Sequence, residues 1–200
     1  MNKVACSIAM SLDAFVAGPN MSFEKPFGDM PEDALHHWMF DEPEKHRAEL
    51  DALNDAGAFI MGSNMYGPKD RRESADTWKG WWGDNPPYHT AVFVLSHHER
   101  KPVEMEGGTI FHFVTDGIGA ALARAREAAN GKDVRLGGGV AAIRQFLQAA
   151  LIDQLHIAIA PILLGSGEHL FHGLDLPALG YRCKEHVASE NATHIVLGKS

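Results

Sequence analysis

Gly137-Gly138-Gly139-Val140-Ala141-Ala142 carries the clearest chemical pattern in the chain. It follows the short strand-like run Val134-Arg135-Leu136 and opens a helical spacing of apolar residues, Val140, Ile143, Leu147 and Leu151. Glycines let the backbone approach an anion with no Cβ in the way, and the free N–H groups and positive end of a helix favour phosphate. A pyrophosphate cradle is the chemistry expected, with a tight turn that binds nothing as the plain alternative. The same residues satisfy G-x-G-x-x-A. A Rossmann unit, however, places that fingerprint after its first strand and an acidic residue at the end of its second. Here the turn comes after residue 136, and Asp153 precedes the next strand. The glycines therefore suggest pyrophosphate without that architecture.

Other junctions offer polar groups. Gly62-Ser63-Asn64 lies between a strand and a helix, where Ser63 or Asn64 could cap the helix and leave N–H groups for a phosphate. Ser96-His97-His98-Glu99-Arg100 brings hydroxyl, imidazole and guanidinium groups to a strand end and could hold a ribose 2'-phosphate; exposed turn residues are the alternative. The 12 histidines include the pairs His36-His37 and His97-His98, yet neighbours on a helix or strand point apart and no HExxH array is present, so no protein-bound metal is expected. Gly165-Ser166-Gly167 lacks the nucleophile-elbow pattern, and neither cysteine has an activating context.

The elements that must position these groups follow from periodicity and punctuation. Strands are expected at Val4–Met10, Ala58–Met61, Ala91–Leu95, Thr109–Val114, Val134–Leu136, Leu155–Ile159, Tyr181–Ala188 and Thr193–Gly198. Helices are expected around Asp33–Phe40, at Glu44–Ala56, after Asp116 as N-cap with a stop at Asn130-Gly131, and from Val140. Two irregular stretches, 21–43 and 70–88, carry more aromatics than a surface loop needs, including Phe23, Phe27, Trp38, Phe40, Trp78, Trp81 and Trp82. Helical crossovers between the early strands give parallel neighbours, while the closely joined last strands are antiparallel, so the sheet is mixed. No repeat or domain boundary interrupts 1–200, which reads as one α/β domain.

With 45% hydrophobic and 22% charged residues, the composition is globular, and the net charge of -8 opposes a nucleic-acid partner. No apolar run approaches membrane-spanning length, and Met1-Asn2-Lys3 does not begin a secretory signal. Two unpaired cysteines, Cys6 and Cys183, fit a reducing, cytoplasmic setting.

Ser11-Leu12-Asp13-Ala14-Phe15-Val16-Ala17-Gly18-Pro19 resembles the opening of the dihydrofolate-reductase-like proteins related to the reductase (RibD C-terminal) domain of bifunctional riboflavin-biosynthesis enzymes. The resemblance continues through Phe59–Ser63, Gly80–Asp84, Phe93–His98, Phe113–Gly117, Val134–Val140, Leu151–Leu155 and Gly165–Phe171. It implies a three-layer fold with a mixed, mostly parallel sheet of about eight strands, an antiparallel C-terminal hairpin and helices on both faces. It also implies an NADPH-dependent reductase. Carried over by position, Ala9, Met10 and the 13–18 loop with Ala17 border the nicotinamide, and Gly62, Ser63 and Asn64 meet phosphates. Ser96, His97 and His98, with Thr115 nearby, flank the adenosine end, and Gly137, Gly138, Gly139, Val140 and Ala141 hold the pyrophosphate. Asp13, the aromatics of 21–43, Trp81, Trp82 and Phe171 would form the substrate pocket. Asp13 is the expected proton relay or polar substrate contact, or else a loop-fixing acceptor. Two positions depart from the usual family pattern: Ala14 stands where glycine is common, and Ser63 where a basic residue often follows the glycine. The resemblance further implies a homodimer paired near Leu155–Leu164 and Tyr181–Gly198. A nucleotide-binding sensor on the same scaffold is the alternative to a reductase.

Overall fold

The computed structural model describes residues 2–68 and 77–199; most of the first half of the expected irregular stretch 70–88 lies outside the described residues. Among the described residues nine strands form one sheet: β1 (Val4–Ser11), β2 (Ala58–Gly62), β3 (Ala91–Leu95), β4 (Val103–Glu104), β5 (Ile110–Val114), β6 (Val134–Leu136), β7 (Gln154–Ala160), β8 (Tyr181–Ala188) and β9 (Thr193–Lys199). Their spatial order is β4-β5-β3-β2-β6-β1-β7-β9-β8. From β5 to β7 every neighbour is parallel. At the margins β4, β9 and β8 run antiparallel to the strands they join. β4, only two residues long, is the strand that periodicity misses, because alternation needs a longer run to register.

Side-chain alternation divides the core. Val4, Cys6, Ile60, Leu136, Leu155 and Ile157 face one side, where they pack with α4 (Gly117–Ala128) and α5 (Val140–Gln148) through Leu122, Ala125, Ile143, Phe146 and Leu147. Phe59, Met61, Val92, Val94 and Phe111 face the other, against Tyr66, Trp78, Trp82 and Tyr88. Ala9, Ala158 and Ala160 meet Leu35 and Trp38 in a further cluster. Small side chains on β1 and β7 leave room there for the aromatic segment before α2 (Arg47–Asn54). Between the shorter helices α1 (His37–Phe40) and α3 (Ser63–Tyr66) and the paired α4 and α5, the sheet is the middle of three layers.

Several local expectations change. The helix expected over Asp33–Phe40 is turns followed by one turn of helix, α1. Asp116 precedes α4 but makes no side-chain cap; its φ of -88° and ψ of 15° turn the carboxylate away from the first N–H groups. It accepts instead from Arg124 Nη2 at 2.8 Å. Ser63 begins α3 and is not its cap, a place held by extended Gly62 with no side-chain bond. The expected stop at Asn130-Gly131 has both residues at positive φ, 47° and 91°. β7 is interior to the sheet, so the free edge beside the C-terminal hairpin belongs to β8, where every residue after Tyr181 is exposed. Among the described residues no helix is long and apolar enough to cross a membrane.

Candidate active-site cleft

Parallel strands bring their carboxyl ends to the same side of a sheet, and ligands of such sheets bind where a crossover returns between earlier strands. β6 is that return, inserted between β2 and β1. Here opens a cleft of about 660 Å³, lined by Ser7, Ile8 and Ala9 of β1, by His156 and Ala158 of β7, and by Gly137, Gly138, Gly139 and Val140. Val16, Ala17 and Glu168 form one wall, Asn64 and Met65 another. Met21, Pro26, Phe27, His36, Trp38 and Met39 close a third side, with Trp81 and Trp82.

The glycine turn is anchored before it reaches the cleft. Gly137 N–H donates to Ile60 O at 2.8 Å and Gly62 N–H to Gly138 O at 2.6 Å, locking the turn to the end of β2. Gly138, at φ 130°, occupies backbone that L side chains rarely adopt, and a Cβ there would lie 3.2 Å from Met65 Sδ. Gly139 is extended and opens α5 with no side-chain cap. The first N–H groups of α5, at Val140 and Ala141, have no intrahelical acceptor to reach, so they and the helix dipole remain directed at whatever lies beyond the turn. This cradle fits the pyrophosphate of a dinucleotide, since it offers N–H donors and has no Cβ to fill the space.

The aromatic wall is built on the second face. Phe23 stacks on Trp81 with ring centroids 5.9 Å apart, and Trp78 meets Trp81 edge-on at 5.2 Å. Trp82 stacks on Phe111 at 5.9 Å, so its ring is held by the core while one side lines the cleft. Phe27 rests against His36 at 5.3 Å, and burial lowers the His36 pKa, favouring the neutral imidazole.

Of the two settings expected for Asp13, relay and loop-fixing acceptor, its hydrogen bonds match the second. Its carboxylate accepts from Ser11 Oγ at 2.5 Å, Leu164 N–H at 3.1 Å and Gly165 N–H at 2.7 Å. The Ser11 hydroxyl chiefly, with the two amides, holds its pKa down at about 2. Asp13 thus stays ionised and ties the 11–15 turn to the 164–165 loop, outside the cleft lining. Because this folded-state pKa lies below the ordinary 3.8, the clamp's contribution to stability is complete above about pH 4 and is lost as pH falls toward 2. Asp13→Asn is accordingly expected to unfold at lower urea than the native protein at pH 6, with the difference vanishing near pH 2; a gap independent of pH would reject the ionised clamp. Beside it, Ala14 sits at φ 64°, the left-handed region glycine fills most readily.

Of the remaining expected site residues, Ala9, Ala17, Asn64, Trp81, Trp82 and Gly137 to Val140 line the cleft. Met10 is buried in the core beneath it, and half-buried Phe171 packs against that core. Gly62 is drawn against the glycine turn, Ser63 begins α3, and Ala141 is exposed on the first turn of α5. Ser96, His97, His98 and Thr115 follow β3 and β5 at the same carboxyl side of the sheet, beyond the lining. Ser96 Oγ donates to His98 O at 2.9 Å, and Arg100 is turned inward, donating to Tyr66 Oη at 3.2 Å and Trp78 O at 2.6 Å.

Residues that sequence reasoning did not single out also reach the cleft. His36, His156, Glu168 and Met65 line it. Glu168 belonged to the family-like 165–171 stretch, which was the only signal for it; His156 had none, lying within an apolar strand.

A protein-family model described as the RibD C-terminal domain matches residues 2–195. Among curated proteins, "Uncharacterized protein YyaP" of Bacillus subtilis (strain 168) is 25% identical over 177 residues, covering 84% of this chain and 80% of the relative. A crystal structure of a putative riboflavin biosynthesis protein from Shewanella sp. PV-4 superposes with a TM-score of 0.63 at 23% identity, covering 99% of both chains. A diaminohydroxyphosphoribosylaminopyrimidine deaminase/5-amino-6-(5-phosphoribosylamino)uracil reductase from Thermotoga maritima gives a TM-score of 0.60 at 13% identity, over all of this chain and 57% of that longer one.

Proposed function

The chain belongs to the RibD C-terminal domain family, and from that membership and the cleft we propose that it is an NADPH-dependent reductase of a small, ring-containing substrate such as a pterin or a ribosylamino-pyrimidine. The carrying observation is the glycine cradle at the start of α5, open to a cleft whose other walls are aromatic. NADPH, when bound, would supply the hydride. Gly137, Gly138, Gly139, Val140 and Ala141 would hold its pyrophosphate, with Gly62, Ser63 and Asn64 adding phosphate contacts. Ala9, Met10 and Ala17 would border the nicotinamide, and Ser96, His97, His98 and Thr115 the adenosine end. Trp81 and Trp82 would stack on the substrate ring and exclude water, while His36 and Glu168 supply proton-carrying groups within the cleft. A sensor without turnover would have no use for two titratable groups in the cleft, and their presence favours the reductase. The proposal includes a single domain, a cytoplasmic setting and a homodimer.

The reading is tested by titrating the protein with NADPH and following its oxidation with pterins, ribosylamino-pyrimidines and quinones. Binding with turnover of one of them is expected; tight binding with no oxidation would return the sensor, and no binding would reject both. A preference for NADPH over NADH of about tenfold or more is expected from one charge-assisted contact to the 2'-phosphate, worth roughly 1.5 to 3 kcal/mol. Arg100 is already engaged with Tyr66 and Trp78, so Ser96, His97 and His98 would have to supply that contact. Equal affinities would remove Ser96, His97 and His98 from the adenosine site. Light scattering at micromolar concentration is expected to give twice 21.8 kDa. The long edge of β8 would be covered in such a dimer, and a monomer mass would reject the pairing.

A further inference from the structure

Behind the cleft wall formed by Trp38, histidines from distant parts of the chain converge. His46, immediately before α2, and His194 on β9 have ring centroids 4.7 Å apart, and each is 2% exposed. Both keep Nε2 buried and without a hydrogen-bond partner among the described residues. Glu49, one helical turn after His46, adds a carboxylate; one donor atom from each of the three lies within 4.8 Å of the other two. Glu42 places a second carboxylate oxygen, Oε2, 3.8 Å from His46 Nε2, too far for a hydrogen bond and likewise buried without one. Orphaned imidazole nitrogens beside unpaired carboxylate oxygen are costly in a folded interior unless something else engages them.

We propose that His46, Glu49 and His194 bind a divalent transition-metal ion of the Zn²⁺ type. Two imidazoles and a carboxylate are the donor set of three-ligand zinc sites, with the fourth position left to water or a ligand. Glu49 and His194 also line a pocket of about 340 Å³, together with His156 and Arg135. Donor atoms around tetrahedral zinc stand roughly 3.4 Å apart, so modest side-chain rotations close the site. The outer shell is already in place. His194 Nδ1 lies 2.9 Å from His156 Nε2, and His156 Nδ1 lies 3.1 Å from Ser7 Oγ, which also receives Arg135 Nη2. A relay in which His194 Nδ1–H donates to His156, and His156 in turn to Ser7, leaves the His194 Nε2 lone pair for the ion. Glu49 supplies one negative charge to a dipositive ion, and the Glu42 carboxylate, ion-paired with Lys45, lies beside His46. Trp38 contacts both histidine rings edge-on, at 5.5 and 4.9 Å, so an ion here would pin α2 and the Trp38 wall of the cleft to the C-terminal strands. The adjacent histidine pairs do not join this cluster. The expectation of no protein-bound metal rested on local spacing, whereas this set is assembled only where His194 of β9 meets His46.

Zn²⁺ titration of tag-free protein by calorimetry, with Co²⁺ visible absorption as a second readout, tests the site independently of any reductase activity. One Zn²⁺ per chain, a raised melting temperature and a Co²⁺ ligand-field band are expected. His46→Ala, His194→Ala and Glu49→Gln should each weaken Zn²⁺ binding at least tenfold, while His186→Ala on the exposed β8 leaves it unchanged. Absence of one-to-one binding in the native protein would overturn the proposal. So would wild-type affinity in Glu49→Gln, which decides the matter even if the histidine variants fail to fold, because Glu49 is partly exposed on α2.

Discussion

Gly139→Val is expected to weaken NADPH binding at least hundredfold while moving the melting temperature by only a few degrees. Gly139 has φ -67° and ψ 178°, backbone open to any residue. A Cβ built on it would meet Asn64 Cβ at 3.7 Å and Met65 N at 3.9 Å, ordinary contacts that the fold accommodates. The branched methyls would stand at the mouth of α5, where a pyrophosphate must approach the backbone. Loss of two charge-assisted hydrogen bonds amounts to roughly 3 to 6 kcal/mol, and a hundredfold is about 2.7 kcal/mol. Gly138→Val is the less clean variant, because φ 130° and the Met65 sulfur add strain to any effect on the ligand. Fluorescence titration and thermal melts of both separate the two causes. Normal NADPH affinity in folded Gly139→Val would move the cofactor away from this turn.

Gly167→Ala should cost about 3 kcal/mol of stability and open one wall of the cleft. Gly167 sits at φ 129°, and a Cβ there would fall 2.0 Å from Ala17 O and 2.9 Å from Gly18, backbone atoms with nowhere to go. These residues belong to a ladder between two loops: Val16 N–H donates to Glu168 O, Glu168 N–H to Ala17 O, and Leu170 N–H to Ala14 O, all at 2.9 to 3.0 Å. Strain of about 1 to 3 kcal/mol and a lost hydrogen bond of about 1 kcal/mol make up the expected figure. Gly165→Ala supplies the contrast. It also has positive φ, 74°, but nothing lies within 4 Å of its Cβ, so roughly 1 kcal/mol is expected. Urea unfolding of the pair measures the difference. Equal losses would mean that backbone conformation alone, and not the 17–167 approach, carries the effect. Since Ala17 and Glu168 line the cleft, ligand affinity should fall with Gly167→Ala and stay intact with Gly165→Ala.

What sequence reading could reach was whatever a short window contains. The β6, glycine turn and α5 unit was legible because strand, punctuation and helical period are contiguous, and β3 and β8 match their expected limits for the same reason. β4 was too short to leave a pattern, and Asp116 has a capping residue type in a backbone conformation that prevents capping. At the site, the glycines and the two tryptophans were visible. His36, His156 and Glu168 were not, because their place in the cleft depends on register and loop docking: Ser7 is paired with His156 across β1 and β7. Asp13 shows the limit from the other side. Its residue type allowed either a chemical role or a loop-fixing one, and only the docking of the 164–165 loop, through three hydrogen bonds, favours the second.

The insertion of β6 between β2 and β1 governs the order in which the chain can assemble as it is made. Of the strands in this sheet β1 is synthesised before the others, yet both of its neighbours, β6 and β7, are encoded far downstream. At about 5 to 20 residues per second, roughly 120 residues of elongation separate β1 from β6, an interval on the order of 6 to 25 s. Throughout it Val4, Cys6 and Ile8 have no native strand to pair with, while β2, β3 and β5 can already associate with one another. β6 then adds to the free edge of β2 together with the glycine cradle, and only afterwards can β1 pair with β6. Closure of the ligand-binding end and completion of the fold are in that sense one late event, and a chain stalled before residue 134 would carry an apolar first strand exposed to holdase chaperones.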